Sequence, residues 1–171
     1  MKRRAFISRG LAFGAFALTF GAAGAAAPAP GATRQKRGGP AGKISRTDAE
    51  WRRMLSPAQY RVMRQKGTEA PGSSPLNKLF APGTYVCAGC ELPLFSSKTK
   101  FETNTGWPSF WAAVSRKNVR EAVDRSLSEV RTEVLCARCD SHLGHVFKDG
   151  PAPTGLRYCM NGVALKFARK G

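Results

Sequence analysis

The sequence predicts a mainly β domain of the α+β kind, with short helices at its N-terminal end and a metal ion stapling its turns. Three observations carry this. Short runs with period-two alternation, such as Thr84-Tyr85-Val86-Cys87 and Val130-Arg131-Thr132-Glu133-Val134-Leu135, dominate from Gly83 onward. Turn signals punctuate them at Pro82-Gly83, Asn104-Thr105-Gly106 and Asp149-Gly150-Pro151. Two pairs, Cys87-x-x-Cys90 and Cys136-x-x-Cys139, are separated by a long insert, as in a tetrahedral Zn²⁺ site where each pair turns as a knuckle.

The elements follow in order. Residues 1–27 read as a twin-arginine export signal: Arg3-Arg4-Ala5-Phe6-Ile7, a moderately apolar run from Leu11 to Gly21, then the small Ala25-Ala26-Ala27. The run is too short and too rich in Gly and Ala for a membrane span, so no stable membrane insertion is expected after cleavage. Twin-arginine export carries folded proteins, so metal would be loaded in the reducing cytoplasm before the chain reaches the periplasm. Residues 28–46 are Pro/Gly/Arg-rich and read as a disordered linker, leaving 47–171 as the folded domain.

Thr47-Asp48-Ala49-Glu50 is a capping box opening a first helix, with Trp51, Met54 and Leu55 at helical spacing. Ser56-Pro57-Ala58-Gln59 opens a second, in which Tyr60 and Met63 face inward and Gly67 ends the helix. Val119, Val123 and Leu127 recur four apart and predict a third helical piece over roughly 119–127. In Arg157-Tyr158-Cys159-Met160-Asn161 a strand places Arg157, Cys159 and Asn161 on one face. Val163, Leu165 and Phe167 then alternate as a half-buried strand.

The net charge of +17 suggests a polyanion partner until it is partitioned. Residues 1–46 hold nine Lys and Arg and no acid, so the rest of the chain carries only about +8. With no polybasic helix and no aromatic-basic repeat, no nucleic-acid partner is expected.

The chemistry rests on few residues. Cys159 has no cysteine partner and is either an inert core thiol or a nucleophile; Arg157 beside it favours a thiolate. The chain's two histidines, His142 and His145, lie in one motif, Asp140-Ser141-His142-Leu143-Gly144-His145-Val146-Phe147, and suit proton delivery near neutral pH. A flat strand sends residues three apart to opposite faces, so a bulge at Gly144 is expected to return both rings to one side. Trp107, between Gly106 and Pro108, is either a core aromatic or an aromatic presented to a ligand. For the four paired cysteines, disulfides, a thioredoxin-like redox pair and a set of Cys136, Cys139, His142 and His145 are the other readings. The last would strand Cys87 and Cys90.

Taken together, the motifs closely resemble the methionine-R-sulfoxide reductases. These motifs are Ser56-Pro57-Ala58-Gln59-Tyr60-Arg61-Val62, Gly67-Thr68-Glu69, Tyr85-Val86-Cys87-Ala88-Gly89-Cys90, Gly106-Trp107-Pro108-Ser109-Phe110, His142-Leu143-Gly144-His145-Val146-Phe147 and Thr154-Gly155-Leu156-Arg157-Tyr158-Cys159-Met160-Asn161. The resemblance spans about residues 55–167. It implies two antiparallel sheets flanked by short helices, with zinc on Cys87, Cys90, Cys136 and Cys139 away from the catalysis. It further implies that Cys159 attacks the sulfoxide and becomes a sulfenic acid, and that His145, with His142 beside it, protonates the oxygen. Asn161 and Arg157 would support the site, while Trp107 and Phe110 would bind substrate. Many members place a resolving cysteine just before the Gly-Trp-Pro-Ser-Phe run, where this chain has Thr105. The expected partners are therefore oxidised proteins and an external, thioredoxin-like thiol reductant, with the enzyme a monomer. A zinc-ribbon nucleic-acid binder and a general Cys-x-x-Cys oxidoreductase are the competing classes, and both explain fewer residues.

Overall fold

The helices form where the capping residues place them. In a computed structural model, which describes residues 42–170, α1 (Asp48–Met54) and α2 (Pro57–Gln65) each begin with a complete capping box, Thr47 with Glu50 and Ser56 with Gln59. Trp51, Tyr60 and Met63 are buried beneath them, whereas Met54 is half exposed. The left-handed residue that ends α2 is Lys66 (φ 57°), one position before Gly67. Gly67 answers a different need, since a Cβ there would stand 3.0 Å from the Arg61 carbonyl oxygen.

Residues 1–41, and with them the expected export signal and most of the linker, lie outside the described residues. The last residues assigned to the linker are already part of the domain. The Ile44 N–H donates to the Arg138 carbonyl at 2.8 Å, Lys43 pairs with Asp140, and Ile44 packs on the core. Composition alone did not show that one isoleucine in a polar run has a backbone partner waiting.

Nine strands follow among the described residues: β1 (Gly83–Cys87), β2 (Pro93–Ser96), β3 (Lys100–Phe101), β4 (Ser109–Phe110), β5 (Val119–Asp124), β6 (Arg131–Cys136), β7 (His142–Phe147), β8 (Arg157–Met160) and β9 (Leu165–Arg169). They pair in antiparallel fashion as a three-stranded sheet, β2-β1-β9, and a six-stranded sheet, β3-β4-β8-β7-β6-β5. The core holds Tyr85, Leu94, Phe95, Leu143, Tyr158 and Met160 around Phe110. Phe110 stacks on Phe95 with centroids 4.6 Å apart and meets Tyr85 edge-on at 4.9 Å.

Two expected elements differ. Residues 119–124 form the strand β5, paired with β6 from Val119↔Cys136 to Asp124↔Arg131, in place of a third helix. A spacing of four is also twice the strand period, and Val123, at 66% exposure, has no inward helical face to occupy. Val163 belongs to a 3-10 turn, Gly162–Ala164, and β9 starts only at Leu165. The Glu69 carboxylate accepts from the Gly162 and Val163 N–H groups and holds that turn out of the sheet.

Candidate active site

Strand alternation on β8 buries Tyr158 and Met160 and turns Arg157 and Cys159 to the other face. There Cys159 sits opposite His145 of β7 and Ser109 of β4, and His145 sits opposite Glu133 of β6. One row across four strands thus carries a hydroxyl, a thiol, an imidazole and a carboxylate. A cavity of about 110 Å³ opens over it. Trp107, His145, Cys159 and Asn161, four of the candidate site residues, line it together with Thr68, Arg131, Gly144 and Phe147.

The histidines come together through the expected irregularity. Leu135 pairs with His142 and Val134 with Gly144, so Leu143 is the extra residue of a bulge. The two rings lie 5.4 Å apart. Gly144 is needed for close approach, because a Cβ there would fall 2.2 Å from the Cys159 carbonyl oxygen. Only His145 faces the cavity; His142 is 2% exposed behind it. Each ring has its own carboxylate: Glu133 Oε1 lies 2.8 Å from His142 Nδ1, and Asp124 Oδ2 lies 2.7 Å from His145 Nε2.

Glu69 organises the opposite wall. Its carbonyl accepts from Trp107 Nε1 at 3.2 Å, and its N–H donates to Asn161 Oδ1 at 3.0 Å. Asn161 Nδ2 donates in turn to the Leu143 carbonyl in the bulge. Asn161 therefore orients the wall through bonds already made within the protein. Phe110, expected to bind substrate, is fully buried against Phe95 and Tyr85. Its backbone shares β4 with Ser109, but alternation sends its ring into the core.

Burial pushes the Cys159 thiol above its ordinary pKa, and it outweighs the Arg157 charge and the Thr105 and Ser109 hydroxyls, which pull it down. Arg157 thus acts in the expected direction but does not by itself make a thiolate. Its guanidinium is engaged by both Asp149 oxygens, at 2.9 and 2.7 Å, and lies over the Phe147 ring. Burial lowers His142. Burial also works to raise Glu133, yet bonds from Lys66 and His142 hold it below the usual carboxylate range.

The four paired cysteines converge elsewhere. All four Sγ atoms lie within 4.8 Å of one another, with Cys87 and Cys139 at 3.7 Å and Cys90 and Cys136 at 3.5 Å. Four thiolates at 2.3 Å from one tetrahedral ion stand about 3.8 Å apart, so the set fits a metal. The two knuckles share one construction. Glu91 and Asp140, each just after the second cysteine, are left-handed (φ 60° and 53°) and donate to the first cysteine's carbonyl at 2.8 and 2.9 Å. Arg131 lines the cavity at one end of β6 and Cys136 ends the other, about 17 Å away at strand rise. The metal set and the cavity are separate sites.

Sequence reasoning missed Asp124, Glu133 and Arg131, and it named Thr68 and Glu69 within a motif without giving them a role. Glu133 alternates onto the His145 face of a strand that had been foreseen, so register was the missing signal. Asp124 lay inside the segment read as helix.

The SelR domain profile matches residues 55–169. A protein of Thiobacillus denitrificans named peptide methionine sulfoxide reductase MsrB is 54% identical over 125 residues, covering 73% of this chain and 95% of that protein. Proteins of the same name from Pseudomonas putida and Methanosarcina barkeri are 55% and 54% identical, over 73% and 72% of this chain and 94% and 87% of their own lengths. Among solved structures, the Mis18 Yippee-like domain is similar with a TM-score of 0.43 and 21% identity, covering 53% of this chain and 98% of that one.

Proposed function

The chain belongs to the SelR-domain family of MsrB peptide methionine sulfoxide reductases, and from that premise we propose that it reduces the R epimer of methionine sulfoxide in oxidised proteins with Cys159 as nucleophile. The observation that carries the residue assignment is the pairing of Cys159 with His145 on the wall of the Trp107-lined cavity. In the reaction the sulfoxide S=O bond breaks and a Cys159 S–O bond forms. The sulfoxide sulfur is reduced by two electrons and the Cys159 sulfur is oxidised to the sulfenic acid, while methionine leaves. The thiol proton ends on the transferred oxygen. A thiol kept protonated by burial needs a base beside it, and His145 is the cross-strand neighbour able to take that proton and return it to oxygen. In this reading the indole of Trp107, held by its Nε1 bond to Glu69, packs the ε-methyl group while oxygen faces His145. Shape and hydrogen bonding together would then separate the epimers.

An external dithiol completes the cycle: two thiols reduce the sulfenic acid to thiol and water and become a disulfide. Thr105 supports this reading, since a hydroxyl bonded to Thr103 at 2.8 Å stands where a resolving thiol would be needed. We assign zinc to the four-cysteine set. Held by Cys87, Cys90, Cys136 and Cys139, the ion would have no open position, so it would supply folding energy to the two knuckles and take no part in oxygen transfer. The convergence of both Cys-x-x-Cys pairs on one point disfavours a general thiol oxidoreductase. For residues 1–27 we keep the proposal of twin-arginine export to the periplasm, supported by Arg3-Arg4 and Ala25-Ala26-Ala27. The enzyme is proposed to work as a monomer.

The test is chromatographic loss of each epimer of an N-blocked methionine sulfoxide with excess dithiol and zinc-loaded protein. R-selective loss supports the proposal; loss of the S epimer alone, or of neither, contradicts it.

A further inference from the structure

Asp124 is the last residue of β5, one of the two outer strands of the six-stranded sheet. Arg120, Glu121 and Val123 of β5 are exposed, yet the Asp124 side chain is only 16% exposed. Alternation and register put it on the face that carries Glu133, His145 and Cys159. There its Oδ2 lies 2.7 Å from His145 Nε2 and 2.8 Å from an Arg131 guanidinium nitrogen, and its Oδ1 accepts from the Ser126 N–H at 2.9 Å. Bonds to Ser126, His145 and Arg131 hold the carboxyl well below the usual carboxylate range, so it is an anion near neutral pH.

The two histidines are gripped by opposite nitrogens. Glu133 holds His142 at Nδ1, and the other nitrogen of that ring, Nε2, is buried with no partner among the described residues. Asp124 holds His145 at Nε2, which leaves Nδ1 for whatever enters the cavity that this ring lines. An ionised carboxylate only accepts, so the nitrogen facing it carries a proton, and in a neutral ring the other nitrogen is then the one with the lone pair. For neutral rings, Glu133 and Asp124 would thereby favour opposite tautomers on neighbouring histidines.

We propose that Asp124 is a positioning residue for the reduction: it fixes the proton of His145 on Nε2, so that Nδ1 is the nitrogen that takes the Cys159 thiol proton and passes it to the substrate oxygen. This rests on the reading of Cys159 and His145 given above. As His145 becomes an imidazolium, the Asp124 anion balances the new charge, a division of labour in which the carboxylate stays ionised throughout. The charged and titratable groups facing His145 are Asp124 of β5, Arg131 and Glu133 of β6, His142 of β7, and Arg157 and Cys159 of β8. Asp124 is the one whose oxygen bonds the ring.

The chain has two histidines, so ¹⁵N-histidine labelling of untagged, zinc-loaded protein gives two ring systems to assign. Expected in the wild type are opposite tautomers, His142 protonated on Nδ1 and His145 on Nε2. In Asp124→Ala the His145 ring should become a tautomer mixture while His142 is unchanged. Turnover of N-blocked methionine sulfoxide should fall about tenfold or more with KM within about twofold, and Asp124→Glu should recover part of it. A His145 ring unaltered in Asp124→Ala, or turnover kept within about twofold, would overturn the proposal. So would loss of amide dispersion in both variants, which would make Asp124 a hairpin clamp only. A wild type that reduces neither epimer defeats the reading of the reaction, while the ring spectrum still decides whether Asp124 sets the tautomer.

Discussion

Cys159 and His145 are direct cross-strand partners on β8 and β7, and Ser109 occupies the other flank of the same thiol. Opposed Cβ atoms in an antiparallel pair lie about 5 Å apart, so thiol and imidazole reach one small ligand together. This placement depends on the Leu143-Gly144 bulge, which carries both histidines to the strand face that Cys159 occupies.

The bulge therefore makes Gly144 a sensitive position. Gly144→Ala would press a methyl group onto the Cys159 carbonyl and the Met160 backbone, which cannot yield as a flexible side chain does. Expected are a loss of about 2 kcal/mol or more in denaturant unfolding and a large drop in kcat, since β7 and β8 must part. Unchanged unfolding would show that the strands tolerate the methyl.

Trp107 and Phe110, three residues apart in one motif, should separate cleanly on substitution. Phe110→Ala removes a fully buried ring and should cost about 3–5 kcal/mol of stability, with KM of the remaining folded enzyme unchanged. Trp107→Ala should leave the protein folded while raising KM and eroding the preference for the R epimer. Steady-state kinetics on both epimers, alongside urea unfolding, distinguishes the two.

The reactivity of Cys159 should follow pH in a stated direction. Burial raises this thiol's pKa, so its alkylation by iodoacetamide should be slow at neutral pH and should speed up through and above the ordinary thiol range near 8.5. Arg157→Met removes the opposing charge and should move the profile higher still. A profile centred below 8.5, or one moving lower in the variant, would contradict the balance described here.

Removing the metal should act on the fold before it acts on chemistry. A chelator, or Cys136→Ser, breaks a set joining the turn after β1 to the turn after β6, and Tm should fall by more than about 10 °C. Elemental analysis should give one zinc per chain, and none in that variant. Full stability without metal would show that the hydrophobic core alone holds the knuckles.

Much of this was legible in the chain because the signals are local. Capping boxes located α1 and α2, alternation located β1, β6 and β8, and Cys-x-x-Cys spacing located the metal set. What escaped needed information that no short window contains. Val119, Val123 and Leu127 repeat at an interval shared by helix and strand, and the edge pairing with β6 decided the matter. Glu133 and Asp124 join the site only through registers set by partner strands. Phe110 stands beside site residues in sequence but projects from the opposite face. The sequence points to Arg157 as activating Cys159, yet burial, a property of the folded state, is the larger influence on that thiol.

The most direct measurement of the central claim is a single turnover without reductant. Zinc-loaded protein would be mixed with the R epimer of an N-blocked methionine sulfoxide and a sulfenic-acid trap, then digested for mass spectrometry. Expected is one trapped adduct on Cys159 for each methionine released, with Cys87, Cys90, Cys136 and Cys139 unmodified. Methionine released without an adduct on Cys159, or with a disulfide among the paired cysteines in its place, would contradict Cys159 as the atom that takes the oxygen.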